Sequence, residues 1–150
     1  MAKRGSPEWW AELRPEQAGK ETERLVKSYL EERNRQTTFA WHRLPDATSA
    51  RGVLAAQPAD FLILCEGRTT FLEVKALKHP YRLPKDRLTQ HAVLNKFCYA
   101  GARTVVLVHH YVEGVWRFAS TAELEYGVPS WDLRSVRTET SLADILDVIL

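Results

Sequence analysis

Asp60, Glu73 and Lys75 are the residues of this chain whose types and spacing could do chemistry. They lie in the stretch from Gln57 to Ala76, QPADFLILCEGRTTFLEVKA, where Asp60 opens one apolar run and Glu73-Val74-Lys75 closes the next. Two runs of strand-forming residues, Phe61 to Cys65 and Thr69 to Val74, flank the turn pair Glu66-Gly67, so the stretch reads as an antiparallel hairpin. A two-residue turn, or a symmetric four-residue loop, sets Asp60 directly opposite Glu73. Facing Cβ atoms in such a pair are roughly 4.5–5.5 Å apart and like charges there repel, so the two carboxylates call for a cation between them. Glu73 and Lys75, two apart on a strand, point to one face. An ammonium beside two metal-binding carboxylates is the equipment for metal-assisted hydrolysis of a phosphodiester. Glu-X-Lys alone is common on exposed strands. The hairpin setting, Pro58 two residues before Asp60 and the almost wholly apolar strand between set this instance apart.

The elements that must position these residues follow from periodicity and punctuation. Residues 1–15 carry Gly5, Pro7 and Pro15 around Trp9-Trp10 and read as an irregular arm whose aromatics either dock on the domain or meet a partner. Glu16 to Asn34 forms an amphipathic helix with Leu25, Val26, Tyr29 and Leu30 on its apolar side. Thr38 to Leu44 is a strand, and Pro45 to Gln57 a small-residue loop holding Asp46, Thr48, Ser49, Arg51 and Gly52 that is expected to order on DNA. After the hairpin comes a basic segment with two prolines, then a helix from Lys85 to Ala100 that buries Leu88, Val93, Leu94 and Phe97 and ends at Gly101. Thr104 to Tyr111 and Val115 to Ala119 make a second hairpin around Glu113-Gly114. The order so far is αβββαββ. A helical turn near Ala122 to Tyr126, an irregular stretch through Pro129 and Trp131, and a helix from Ser141 to Ile149 complete the chain, with Ser141 and Asp144 resembling a capping box.

A length of 150 residues suits one domain: an arm over 1–15, a core over 16–119 and an extension over 120–150 packed on the same unit. With 45% apolar and 27% charged residues the chain has the composition of a soluble globular protein rather than a disordered one. No apolar run approaches the roughly 20 residues that span a bilayer, and MAKRGSPEWW lacks the apolar core of a signal peptide. The expected location is the cytoplasm, that of the host if the gene is viral, with no membrane partner. Cys65 and Cys98 lack CxxC spacing and read as buried, reduced thiols. The five histidines show no paired metal-ligand spacing, and His109 and His110 must point to opposite faces of their strand.

The net charge of +2 says little, but its distribution says more. Lys75, Lys78, Arg82, Lys85 and Arg87 stand against Asp86 alone, directly after the carboxylate-bearing strand, whereas residues 120–150 hold six acids and two arginines. A phosphate backbone would lie along the first segment and be repelled by the second. Candidate DNA contacts are Lys20, Ser49, Arg51, Lys78, Arg82, Lys85 and Arg87.

Pro58-Ala59-Asp60 with Glu73-Val74-Lys75 resembles the bipartite motif of the PD-(D/E)XK nuclease superfamily. Gly19-Lys20-Glu21-Thr22-Glu23-Arg24-Leu25-Val26 looks like the first-helix motif of Holliday junction resolvases. The spacing through to Val115-Trp116-Arg117-Phe118 is similar to that of the archaeal resolvases, and Leu88-Thr89-Gln90-His91 resembles the second helix of bacterial and phage ones. The resemblance spans roughly residues 19 to 119. It implies an α/β, restriction-endonuclease-like fold with a central mixed β-sheet flanked by helices. It also implies that Glu23 is a third carboxylate and that Gln90 orients Lys75 or a phosphate. Geometry permits Glu23, which borders the apolar face through Val26 and Leu30, but Glu21 borders the other flank through Leu25 and Tyr29. The archaeal serine-rich loop is represented only by Thr48 and Ser49.

The activity expected is that of a metal-dependent endonuclease cutting four-way DNA junctions. Asp60, Glu73, the Val74 carbonyl and Glu23 would hold Mg²⁺, with Mn²⁺ as substitute, and Lys75 would position water or offset phosphoryl charge. Cutting two symmetry-related strands requires two sites in fixed relation, hence a homodimer, whose surface is sought among Trp9, Trp10, Tyr111, Trp116 and Trp131. A nuclease of the same superfamily acting on duplexes, flaps or ends shares every catalytic residue. A non-catalytic DNA-binding protein could keep the fold and the basic segment.

Overall fold

The computed structural model describes residues 2–45 and 57–150, so the calls on Ser49, Arg51 and the rest of 46–56 lie outside the described residues. The elements are α1 (Pro7–Glu12), α2 (Pro15–Arg33), β1 (Phe39–Arg43), β2 (Phe61–Cys65), β3 (Arg68–Leu77), β4 (Arg82–Pro84), α3 (His91–Tyr99), β5 (Arg103–His110), β6 (Val115–Ser120), β7 (Ser130–Asp132), β8 (Arg137–Glu139) and α4 (Leu142–Ile149). A six-stranded sheet runs in the order β1-β2-β3-β5-β6-β8, and β4 pairs with β7 in a small separate sheet. Only β3 and β5 pair in parallel, bridged by the crossover through β4 and α3, which makes the sheet mixed. The α/β architecture of a mixed sheet flanked by helices is therefore as the sequence implies.

Two cores lie on the two faces of the sheet. Val26 and Leu30 of α2 and Ile145, Leu146 and Ile149 of α4 pack with Phe61, Leu72, Val74, Val105 and Leu107. Leu88 and Leu94 pack on the other face with Leu77, Val106, Val108 and Trp131. Every residue of β5 after Arg103 is buried, as expected of a central strand covered on both sides. His109 and His110 belong to this strand and are both core residues: His109 stacks on Trp116 at 3.9 Å and meets Thr22 Oγ1 at 2.9 Å, while His110 Nδ1 meets the His79 carbonyl at 2.5 Å. Burial holds both imidazoles well below the usual range, His109 at about 3 and His110 at about 4, so both are neutral. Both cysteines are free thiols; Cys65 is buried and Cys98 only half so.

Several expectations change. The arm contains α1, capped by Ser6 Oγ, which accepts from Trp9 N–H at 3.2 Å, and Trp10 docks against His109 and Tyr111. The second helix begins at His91, not Lys85: residues 85–87 form one 3₁₀ turn, after which Leu88 leaves helical geometry and drives its side chain into the core. That offset turns the helix, so His91, Leu94 and Asn95 face inward while Val93 and Phe97 are 47% and 39% exposed. Gly101, with φ +113, ends the helix as expected, and Ala102 N–H reaches back to the Phe97 carbonyl at 3.0 Å. The stretch read as irregular contains β7 and β8, three residues each, too short for alternation to register. Ser141 caps α4 through the Asp144 N–H at 3.3 Å. Among the described residues no helix is long and apolar enough to cross a membrane.

Leu107, fully buried at the centre of β5, and Leu64, 45% exposed on β2, should separate sharply on truncation. Leu107→Ala is expected to lower the unfolding free energy by about 3 kcal/mol and Leu64→Ala by less than about 1 kcal/mol, read from urea denaturation midpoints.

Candidate active site

The site begins with the hairpin turn. Glu66 and Gly67 have φ of +50 and +82, the paired positive values of a type I′ turn, which joins strands of the native twist without splaying them. The resulting register runs from Cys65 opposite Arg68 to Phe61 opposite Leu72, so the next step outward brings Asp60 to Glu73. Asp60 lies just before β2 and is anchored by one oxygen: Oδ2 accepts from Val74 N–H at 2.8 Å, leaving Oδ1 to face outward. Phe71 and Leu77 of β3 belong to the core beneath α3, and Glu73 and Lys75 alternate with them on that same face.

Glu73 is 1% exposed, and its Oε2 is buried without a hydrogen-bond partner among the described residues. Burial first, then the hydrogen bond and charge of Asp60, push its carboxyl up to about 9; Lys75 opposes this and Glu23 adds to it. Without a cation, the Asp60–Glu73 pair therefore holds a proton more tightly than an ordinary carboxyl does. An orphaned oxygen beside a second carboxylate suits a hard cation, which would take the place of that proton.

Glu23 approaches from the opposite layer. Its helix packs through Val26 and Leu30 on the face of the sheet that carries Leu72 and Val74, so Glu23 reaches the pair around the end of β1. There it meets Arg43, whose Nη2 lies 3.2 Å from Glu23 Oε2 and 3.8 Å from Asp60 Oδ1. Arg43 also donates to the Asp60 carbonyl at 3.0 Å and to the Leu44 carbonyl, and its guanidinium lies over the Phe61 ring. Glu21 points elsewhere, to Arg4 at 3.0 Å and Arg24 at 3.1 Å. Among the described residues no three His, Cys, Asp or Glu side chains converge closely enough to cage a metal. That donor set still fits Mg²⁺, which is commonly held by one or two carboxylates together with waters and substrate phosphates.

The remaining candidates are dispersed. Gln90 stands at the N-cap of α3, where its Oε1 accepts from Thr89 Oγ1 at 3.4 Å, and no hydrogen bond joins it to Lys75 among the described residues. Lys78, Arg82, Lys85 and Arg87 are exposed along the β3–β4 connection, β4 and the 3₁₀ turn. Lys20 lies apart from them, in a groove of about 320 Å³ shared with Glu23, Arg24, Lys27, Arg43 and Phe61. Trp10, Tyr111, Trp116 and Trp131 are all at most 8% exposed, and Trp9 is half-buried, so the aromatics proposed as a dimer surface are mostly core. Arg43 is the site residue that sequence reading missed. Its signal was present but faint: a cation closing the strand that pairs with β2, at the register position opposite Phe61.

With this geometry in place, the chain can be set beside known proteins. No protein-family model matches the sequence, and no curated protein does. Among solved structures it is similar to a Holliday junction resolvase of the archaeal hyperthermophile Archaeoglobus fulgidus, with a TM-score of 0.50 and 22% identity over 76% of this chain and 88% of that one. At that identity the likeness is one of fold. It is the restriction-endonuclease-like fold that the paired motif around Asp60 and Glu73 implied.

The Glu73 carboxyl makes stability depend on pH. Its folded value lies above the unfolded one, so its contribution is whole below about pH 4.5 and is lost as pH rises toward about 9. Chemical denaturation of metal-free protein should show stability falling across that window, and Glu73→Gln should flatten the fall.

Proposed function

We propose that this chain is a metal-dependent endodeoxyribonuclease that resolves four-way DNA junctions by paired, symmetric phosphodiester hydrolysis. The observation that carries the reading is the Asp60–Glu73 pair at the open end of a type I′ hairpin, a fully buried glutamate facing a partly exposed aspartate, with Lys75 on the same face. A structural role gives no reason to bury Glu73 against a second carboxyl with one oxygen unsatisfied, because an apolar side chain of similar volume there would be more stable.

Asp60 and Glu73, with Glu23 close by, would hold Mg²⁺ or Mn²⁺, which when bound polarises the scissile phosphate and makes water a nucleophile at neutral pH. The chain's own residues do the rest. Val74 N–H fixes the Asp60 carboxylate, so that a single oxygen is presented. The Asp60–Glu73 pair gives up its proton as the cation enters. Lys75, half-buried on β3, supplies a fixed positive charge for the phosphoryl oxygens or aligns the attacking water. Lys20, Lys78, Arg82, Lys85 and Arg87 bind the DNA backbone, and Ser49, Arg51 and Gln90 are further candidates for contact with it. Attack in line with the leaving 3′-oxygen leaves a 5′-phosphate.

Two cuts in one junction need two sites at a fixed separation, hence a homodimer. With the buried tryptophans set aside, the apolar side chains left exposed for it include Leu64 on β2 and Val93, Phe97 and Tyr99 on α3, with Phe71 packed on Phe97 at 4.7 Å between ring centroids. Phe97→Glu combined with Tyr99→Glu should convert a dimer to monomer in sedimentation velocity while leaving the fold intact.

Incubation with Mg²⁺ should yield symmetric nicks in a labelled four-way junction and none in a matched duplex or flap. EDTA or Asp60→Asn should lower the cleavage rate at least a hundredfold. Equal cutting of duplex or flap would replace junction resolution by a more general nuclease activity. Junction binding without any metal-dependent cutting would leave a DNA-binding protein.

A further inference from the structure

Arg43 closes β1 at the one place where the two layers of the site meet. Its guanidinium contacts Glu23 through both carboxylate oxygens, at 3.2 and 3.5 Å, and comes within 3.8 Å of Asp60 Oδ1. Because Val74 N–H already engages Oδ2, Oδ1 is the Asp60 oxygen left to serve a metal, and Arg43 faces that oxygen. The Arg43 side chain is one-third exposed, and it opens on the groove that carries Lys20, Arg24 and Lys27.

A guanidinium and a divalent cation at one carboxylate oxygen repel each other strongly, because like charges a few ångströms apart are poorly screened in a half-buried site. One must leave. Arg43 has an alternative, a groove it shares with Lys20, Arg24 and Lys27 as well as Glu23, in which a DNA phosphate would be held.

We propose that Arg43 is a displaceable counter-ion: it occupies the carboxylate cluster in the metal-free protein and moves to a DNA phosphate when a divalent cation enters. The inference rests on the metal-dependent reading of the Asp60–Glu73 pair. Its consequence is coupling. DNA that draws Arg43 away strengthens metal binding, and by linkage metal strengthens DNA binding by the same factor. Arg43 is thus a positioning residue that withholds the metal until substrate arrives, and Lys at this position would keep the charge but could not hold the Asp60 and Leu44 carbonyls through one nitrogen and Glu23 through another.

The test is a calorimetric titration of DNA-free protein with Mn²⁺, in wild type, Arg43→Gln and Arg43→Lys, each first shown folded by circular dichroism. Removing a partly exposed ion pair from the competition should tighten Mn²⁺ binding roughly fivefold in Arg43→Gln, with Arg43→Lys closer to wild type. Added junction DNA, with Ca²⁺ in place of Mn²⁺ to block cutting, should tighten metal binding in wild type and have a smaller effect in Arg43→Gln. Mn²⁺ affinity unchanged or weaker in Arg43→Gln would overturn the proposal and leave Arg43 as a brace between Glu23 and Asp60. Should Arg43→Gln fail to fold, Arg43→Met, which keeps an apolar stem against the Phe61 ring and removes the charge, must show the tightening instead. The Mn²⁺ titration involves neither DNA nor turnover, so a protein that cuts no junction can still meet it and a junction resolvase can still fail it.

Discussion

The site depends on one constraint, the register of the β2–β3 hairpin. A two-residue turn with both φ values positive admits a single pairing, and a one-residue slip would send Glu73 and Lys75 to the opposite face of the sheet. The same register that buries Phe61, Ile63 and Leu72 under α2 and α4 therefore forces Asp60 against Glu73 at the hairpin's open end. Packing and chemistry are not independent here. The apolar residues of the two strands hold the pairing, and the pairing holds the carboxyls closer than they would choose.

That enforced closeness explains the electrostatics. Glu73 is denied water by the sheet and crowded by the charge of Asp60, so the pair holds a proton tightly and one Glu73 oxygen is left unsatisfied. Asp60 is kept in place by the Val74 N–H on one oxygen, with the Arg43 guanidinium facing the other. Glu23 is excluded from direct convergence because its helix covers the other face, and Arg43 fills the gap between the layers. The result is one buried and one partly exposed carboxyl beside a guanidinium, which differs from a preformed cage. Such an arrangement is poised for a cation that brings its own remaining ligands.

The surroundings supply rigidity at the centre and variation at the margins. Strand β5 lies alongside β3, with Val106 opposite Glu73 and Val108 opposite Lys75, and its burial on both faces makes it the stiffest support in the sheet. At the far edge, β8 adds a short antiparallel strand to β6, and α4 folds back onto the α2 face. Acidic residues of this extension are partly neutralised within it, Asp132 by Arg134 and Glu139 by Arg137. The N-terminal α1 closes the α2 face elsewhere, through Trp10 edge-on to His109.

The sequence by itself determined the local structures whose signals are short-range: the Glu66-Gly67 turn, the facing of Asp60 and Glu73, the helix over α2, the Gly101 stop and the Ser141 cap. Each depends on residues within a few positions of one another, where backbone sterics and alternation decide the outcome. Tertiary structure alone decided what depends on distant segments. Leu88 abandoned helical geometry to fill the core, which shifted α3 and exposed Val93 and Phe97. The pairing of β4 with β7 joins residues almost fifty apart, and three-residue strands carry no periodicity to announce it. Glu23 pairs with Arg43, seventeen residues before Asp60, while Glu21 pairs with Arg4 and Arg24, a difference invisible to helical periodicity, which leaves both flanks of an apolar stripe equivalent.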